Sequence, residues 1–319
     1  MLKKPVLSIL IPTYNRADYL EKCIKSVLAS DSDQIEVLVS NNSSTDHTSQ
    51  VLGSFSDSRY TYFQQEQNVG GLRNVQFLCN KANGIYLFFL TDDDYLLIDS
   101  VDLVLDFILK FQPDGFKCGL LVHQIVSKAA YLYSSFSNSF VASPDDYRSQ
   151  AQIFWNSHIA TGTCIKREAL DQELYNSNLD NLYPSMLFMG MAQKKLGYLH
   201  EPIAVHIWEN EVFWDDNTSP DDSGKLLAHR GDLLNILEDR VPQGFLVESE
   251  KLINRNSLNY APIARFLTPE QRKERQIAFK IHAFNTRYSK FTNRIFLPVD
   301  RFIRTTVAGF LAKLILIFK

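Results

Sequence analysis

The chain has 319 residues, 45% of them hydrophobic and 22% charged, a globular composition able to bury a core without disulfides or a structural metal. Lys and Arg number 33 against 36 Asp and Glu, a net charge of −3, which argues against a nucleic-acid partner and against an acidic solvating tail. The four cysteines (Cys23, Cys79, Cys118, Cys164) lie in apolar stretches without CxxC or zinc-type spacing, so buried thiols in a reducing compartment are expected. The N-terminus lacks the pattern of a cleavable leader, and no uncharged apolar stretch reaches the ~18–20 residues of a spanning helix. A cytoplasmic location, or a peripheral one on the cytoplasmic face of a membrane, is the expectation.

Val6–Ile11 is apolar apart from Ser8 and meets Pro12, the pattern of a strand buried on both faces. Asp18 is placed to cap a helix whose Tyr19, Leu20, Cys23, Ile24, Val27 and Leu28 form one stripe. Glu36–Ser40 is a second strand, ending in the polar cluster Asn41–Asp46, and Tyr60–Phe63 a third. Val75, Leu78, Cys79 and Ala82 mark a helix with a C-cap signal at Asn83-Gly84. Tyr86–Leu90 is a fourth buried strand that runs into Thr91-Asp92-Asp93-Asp94. This alternation predicts a mostly parallel sheet flanked by helices. Ligands of such sheets bind outside the carboxyl ends of the strands. Thr13–Arg16, Asn41–Asp46 and Asp92–Asp94 all fall at such ends, so they should converge.

Farther on, Val101–Phe111 reads as a helix, Gly119–Val126 and Ala160–Ile165 as strands, and Met186–Leu196 as a helix closed by Gly197. Trp214–Gly224 is acidic and turn-rich, a boundary, and helical patterns follow it. The expected division is therefore a catalytic domain over 1–215, with a nucleotide-binding half (1–110) and an acceptor half (111–215), then a helical C-terminal region over 216–319.

Three adjacent carboxylates after a hydrophobic strand raise one another's pKa unless a cation or solvent compensates. Their hard oxygens suit Mn²⁺ or Mg²⁺, ions that bridge readily to phosphates. A solvated loop or helix cap is the structural alternative. Asn68-Val69-Gly70-Gly71-Leu72-Arg73-Asn74 opens the preceding helix with glycines and amides, a setting suited to an anion. Together the two segments suggest a nucleotide diphosphate and its metal.

Val6–Arg16 (VLSILIPTYNR), Ile35–Thr48 (IEVLVSNNSSTDHT), Asn68–Asn74 and Ile85–Leu96 (IYLFFLTDDDYL) resemble, in order, the signatures of family 2 glycosyltransferases. The resemblance implies a GT-A fold and metal-dependent, inverting transfer of a sugar from a nucleotide-diphosphate donor to a hydroxyl. By position it implies that Pro12, Thr13, Tyr14 and Arg16 line the nucleotide. Asn41 replaces an aspartate that accepts the uracil N3–H; an amide oxygen can still accept that bond, so a UDP-sugar is favoured. Thr91 replaces the first Asp of a DxD motif, making Asp93 the metal-facing carboxylate. Asp92 falls on the ribose side, with Asp94 either behind the direct ligands or an alternate ligand. Asn68, Gly70, Arg73 and Asn74 would face the diphosphate, although Arg73 is two positions early. The resemblance also implies that Asp180 is the catalytic base and that His206 faces the metal, against N-cap and core roles respectively. Two alternatives stay open: a sugar-nucleotide binder without turnover, and a nucleotidyltransferase, though Pro12–Arg16 lacks the glycines the latter needs.

The family's frequent acceptors, glycans and lipid-linked saccharides, bear on Arg301–Lys319, where Phe302, Ile303, Val307, Phe310, Leu311, Leu314, Ile315 and Phe318 recur at helical spacing among four cations. This helix is expected to contact an anionic membrane peripherally; docking on its own domain, or on a second subunit of a homo-oligomer, is the alternative.

Overall fold

The computed structural model describes residues 4–125, 128, 130–170, 195–208 and 241–259. Four strands, β1 (Leu7–Thr13), β2 (Ile35–Asn41), β3 (Tyr60–Gln64) and β4 (Tyr86–Phe89), pair in parallel in the order β3-β2-β1-β4. The linking helices are α1 (Ala17–Leu28), α2 (Thr48–Gly53) and α3 (Gly71–Lys81). The sheet then turns mixed. β5 (Tyr95–Leu96) leads into α4 (Ser100–Phe111), β6 (Gly115–Gln124), β7 (Ala130–Tyr133), β8 (Phe140–Val141), α5 (Tyr147–Asn156), β9 (Thr163–Lys166) and β10 (Leu196–Trp208). β9 runs antiparallel between β4 and β6, and β10 pairs in parallel with β6 and antiparallel with β5 and β8. A last described helix, α6 (Gln243–Asn259), lies beyond residue 215.

Alternation along each strand splits the core into two layers. Leu7, Ile9 and Ile11 of β1 face one side, packed with Leu20, Ile24 and Val27 of α1 and Val104, Leu105 and Ile108 of α4. Leu10 faces the other, with Leu78 of α3, Phe154 of α5 and Phe245 of α6. Phe154 and Phe245 meet edge to face at 5.4 Å, which carries α6 into the same core as the sheet. All four cysteines are buried and free. Among the described residues no helix is long and apolar enough to cross a membrane.

Four local expectations need correction. Asp18 does not cap α1: no side chain of the preceding residue caps it, and Asp46 accepts the Ala17 N–H instead, at 3.2 Å. Asn83-Gly84 is not a C-cap, because α3 ends at Lys81 and Ala82 is already extended. Gly84 is needed for closeness: a Cβ there would lie 2.5 Å from Ser8 Oγ, which accepts the Gly84 N–H. Ser8, the polar exception in β1, thus ties the entry of β4 to Glu36, to which it donates at 2.5 Å. Gly197 lies inside β10, where a Cβ would sit 3.0 Å from the Phe107 ring; the rest of the helix expected before it, 186–194, lies outside the described residues. Finally, β6 begins at Gly115 and β9 at Thr163, earlier and later than expected.

Candidate active site

The polar clusters do converge at the carboxyl ends of β1, β2 and β4. Asn15, at φ 55°, donates its N–H to Ser44 Oγ at 2.9 Å and accepts from the Thr45 N–H at 2.8 Å. Asp46 accepts from the backbones of both Ala17 and Thr48, capping two helices with one carboxylate; these bonds hold its pKa below the usual range against the opposing effect of burial. Asn42 donates its N–H to the Thr13 carbonyl, accepts from Val69 N–H and donates to Asn68 Oδ1, the last two at 2.9 Å. Asn68 Oδ1 also accepts the Gly70 N–H at 2.9 Å. The loops after β1, β2 and β3 are therefore one hydrogen-bonded platform.

The acidic loop leaves β4 against this platform. Asp92 accepts from the Tyr14 backbone and lies beside Arg16 and the buried Thr13 hydroxyl, which among the described residues makes no hydrogen bond of good geometry. Burial, reinforced by Asp93, pushes the Asp92 carboxyl up to about 7. Asp93 is also raised, by burial first and the Asp94 charge second, with Thr91, Arg16 and His206 pulling the other way. Arg16 is the cation acting on both. Three adjacent carboxylates thus share the neighbourhood of Arg16, and the hard oxygens of such a cluster suit a divalent cation.

Asp94 differs from its neighbours. It is 1% exposed and accepts from Thr91 Oγ1 at 2.7 Å, from the Ile207 N–H at 2.8 Å and from His206 Nδ1 at 3.0 Å. In the neutral ring this places the proton on Nδ1 and leaves the Nε2 lone pair facing away from Asp94. A carboxylate behind a histidine in this way orients and strengthens a metal-ligating imidazole. These bonds suit Asp94 to orienting His206 rather than to binding an ion directly, and His206, half-buried at the end of β10, has its Nε2 turned away from Asp94. Among the described residues no three His, Cys, Asp or Glu side chains converge on one metal point. Asp93 and His206 fit a metal that takes its other ligands from a diphosphate and water.

Two amides are corrected as well. Asn74 is 2% exposed and turns its side chain to Ser40, accepting from Oγ at 2.6 Å and donating to the carbonyl at 3.0 Å, so it pins α3 to β2. Asn41 is fully buried; its oxygen accepts the Ser44 N–H at 3.0 Å and its amide donates to Gln64 Oε1 at 2.8 Å, which presents no open face to a base. Pro12 and Thr13 close β1, Tyr14 is 44% exposed beside Asp92, Arg73 is exposed in the first turn of α3, and Gly70 precedes that helix. Asp180 lies outside the described residues. Thr161 was missed by sequence reasoning: its hydroxyl meets Thr91 Oγ1 at 2.7 Å from 70 residues away, and no local signal marks it.

The sequence profile of Glycosyl transferase family 2 matches residues 8–173, more than half the chain. The chain belongs to glycosyl transferase family 2. Over 205 residues it is 24% identical to the GalNAc(5)-diNAcBac-PP-undecaprenol beta-1,3-glucosyltransferase of Campylobacter jejuni, covering 63% of this chain and 64% of that one. Over 117 residues it is 32% identical to Glycosyltransferase GlyA of Streptococcus pneumoniae, 36% of this chain and 16% of that protein. The match thus spans less than two thirds of either relative. Among solved structures, TarS 1–349 of S. aureus in complex with UDP-GlcNAc superposes with a TM-score of 0.63 at 16% identity, covering 86% of this chain and 80% of that one. The mannosyltransferase PcManGT of Pyrobaculum calidifontis, in complex with GDP-Man and Mn²⁺, gives 0.54 at 14%, covering 98% and 87%. The fold is the GT-A type expected from the sequence.

Proposed function

We propose that this family 2 chain is a metal-dependent, inverting glycosyltransferase that moves a sugar from a nucleotide-diphosphate donor, UDP-linked by preference, to a hydroxyl of a glycan or lipid-linked acceptor. The observation that carries the reading is the Asp92–Asp93 pair beside Arg16 and Tyr14, with His206 of β10 held against the same acidic loop through Asp94. A UDP-GlcNAc-bound neighbour and a relative named for an undecaprenol-linked substrate support the donor and acceptor classes.

In this reading Tyr14 offers its exposed ring to the base and Asp92 faces the ribose, with Asn68, Gly70 and Arg73 on the diphosphate side. Asp93 and His206 Nε2 would hold Mn²⁺ or Mg²⁺, which supplies neutralisation of the departing diphosphate. Arg16 adds fixed positive charge beside the same carboxylates. Asp180 takes the acceptor proton as the hydroxyl attacks the anomeric carbon from the face opposite the leaving group. The platform of linked loops keeps the donor-side residues of the loops after β1, β2 and β3 in place before substrate arrives, which limits reorganisation during transfer.

A thermal-shift series with nucleotide diphosphates, with and without Mn²⁺, tests the reading. UDP plus Mn²⁺ at a hundredfold excess over Kd should stabilise the protein by about 2.7 kcal/mol. Asp93→Ala should remove the Mn²⁺-dependent part of that shift and abolish transfer, and Asp93→Asn should be nearly as damaging because a neutral amide is a poor ligand for a hard ion. Undiminished Mn²⁺-dependent binding in Asp93→Ala would move the metal elsewhere. Saturable donor binding without nucleotide release would identify a binder rather than an enzyme.

A further inference from the structure

Lys117 is the third residue of β6, paired with Thr163 of β9 and Tyr198 of β10, and its side chain is fully buried. Among the described residues it has no carboxylate within ion-pair distance; its ammonium donates to the carbonyls of Ile159, at 2.8 Å, and Thr161. Burial lowers its pKa to about 7. A lysine in such a place is costly, and a methionine would fill the volume without that penalty. Its two acceptors belong to one turn, the connection from α5 to β9. That turn is held on its far side by Gly162, at φ 77°, whose N–H donates to the Phe89 carbonyl of β4 and whose carbonyl accepts from Cys118.

The turn carries Thr161, which is fully buried and touches the acidic loop directly. The direction of the bonds is forced. Thr161 Oγ1 accepts the Thr91 N–H at 3.1 Å, and Thr91 Oγ1 donates to Asp94 Oδ2 at 2.7 Å. The Thr91 hydroxyl proton is thereby used, so in the 2.7 Å contact between the two hydroxyls Thr161 is the donor. The chain runs from the Lys117 ammonium through the 159–162 turn to the Thr161 hydroxyl, then Thr91, Asp94 and His206 Nδ1. Thr91, which stands where the family has a DxD aspartate, is the middle link.

We propose that Lys117 and Thr161 are positioning residues that fix the orientation of the Asp94–His206 pair, and through it the ligating nitrogen of the proposed metal site. The link to metal rests on the function proposed above; the link to the Asp94–His206 geometry does not, and the experiment separates them. The test uses the full chain as wild type, Thr161→Val, Thr161→Ser and Lys117→Met, each checked for fold by circular dichroism.

In metal-free protein labelled with ¹⁵N-histidine, the ring nitrogen shifts of His206 should report the Nδ1–H form in wild type and Thr161→Ser. They should report loss of that single form in Thr161→Val and Lys117→Met. By isothermal titration, Mn²⁺-dependent UDP affinity should fall about 10–100-fold in Thr161→Val, the range for lost orienting groups, and recover in Thr161→Ser, while metal-free UDP binding stays within twofold. An unchanged His206 tautomer in Thr161→Val overturns the proposal, as does equal loss of metal-free and metal-dependent binding. If Lys117→Met fails to fold, Thr161→Val decides alone. A tautomer change with no Mn²⁺ effect in any protein, wild type included, would retain the positioning role and reject the metal reading.

Discussion

Arg59 shows how single residues brace the frame at the end of the sheet opposite the site. Its guanidinium donates to the carbonyls of Leu28, at 3.2 Å, and of Ser30 and Ser32, closing the end of α1, and pairs with Asp57 at 2.8 Å. Hydrogen bonds from Arg59, with its charge in support, hold the Asp57 carboxyl below its ordinary value of 3.8. A depressed carboxyl contributes stability that is present above its unfolded pKa and is lost as pH falls through the folded one. Asp57→Asn should therefore cost about 1–2 kcal/mol at pH 7, a charge-assisted bond lost at the surface, and progressively less below pH 4. Urea titrations at pH 7 and pH 3 check this; a cost independent of pH would show that the charge contributes nothing. At the same scale, Asp180→Asn keeps the shape of the proposed base but cannot take a proton, so kcat should fall about 10²–10⁴-fold with donor affinity unchanged. A fall of less than tenfold would turn attention to Glu209 or Asp215.

At the scale of elements, the donor side is a set of strand ends stapled by amides. Asn74 lies on the inner face of α3 and satisfies both Oγ and the carbonyl of Ser40 in β2. Asn74→Ala would strand buried polar atoms on β2 and should destabilise the protein by about 1–3 kcal/mol, with the urea m-value unchanged. Nucleotide affinity should follow only as far as the helix shifts. If affinity collapsed while stability held, Asn74 would be a ligand-contacting residue and the staple would be wrong. The sequence placed Asn74 beside an anion because the glycines and amides around it suit one. It could not show that the helix turns this amide inward, since that follows from α3 packing Val75, Leu78 and Cys79 onto the sheet.

For the whole molecule, α6 joins the core beside α5, while 301–319 lies outside the described residues. The proposed peripheral contact of that segment rests on its apolar stripe and its four cations. Deleting 301–319 should leave donor hydrolysis intact and abolish sedimentation with anionic liposomes. Equal sedimentation of the truncated and full-length chains would sink the idea and favour docking on a partner or on the domain itself.

The parallel half of the sheet was legible because each strand is a short apolar run followed at once by its polar loop, so element and site motif are neighbours in sequence. The same linear order exposed the acidic triad, the glycine-amide turn and the family they resemble. What only the tertiary structure decided are contacts made at long range. Asp94 and His206 lie 112 residues apart and meet because β10 pairs with β5, directly after the acidic loop. Gly197 reads locally as a helix stop but lies in a strand, where its missing side chain makes room for Phe107. Lys117 carries no local signal in the sequence; it is buried because β6 lies inside the sheet, between β9 and β10. Residue type sets what a side chain can bond; which partner it receives is set by strand order, and strand order is a property of the folded chain.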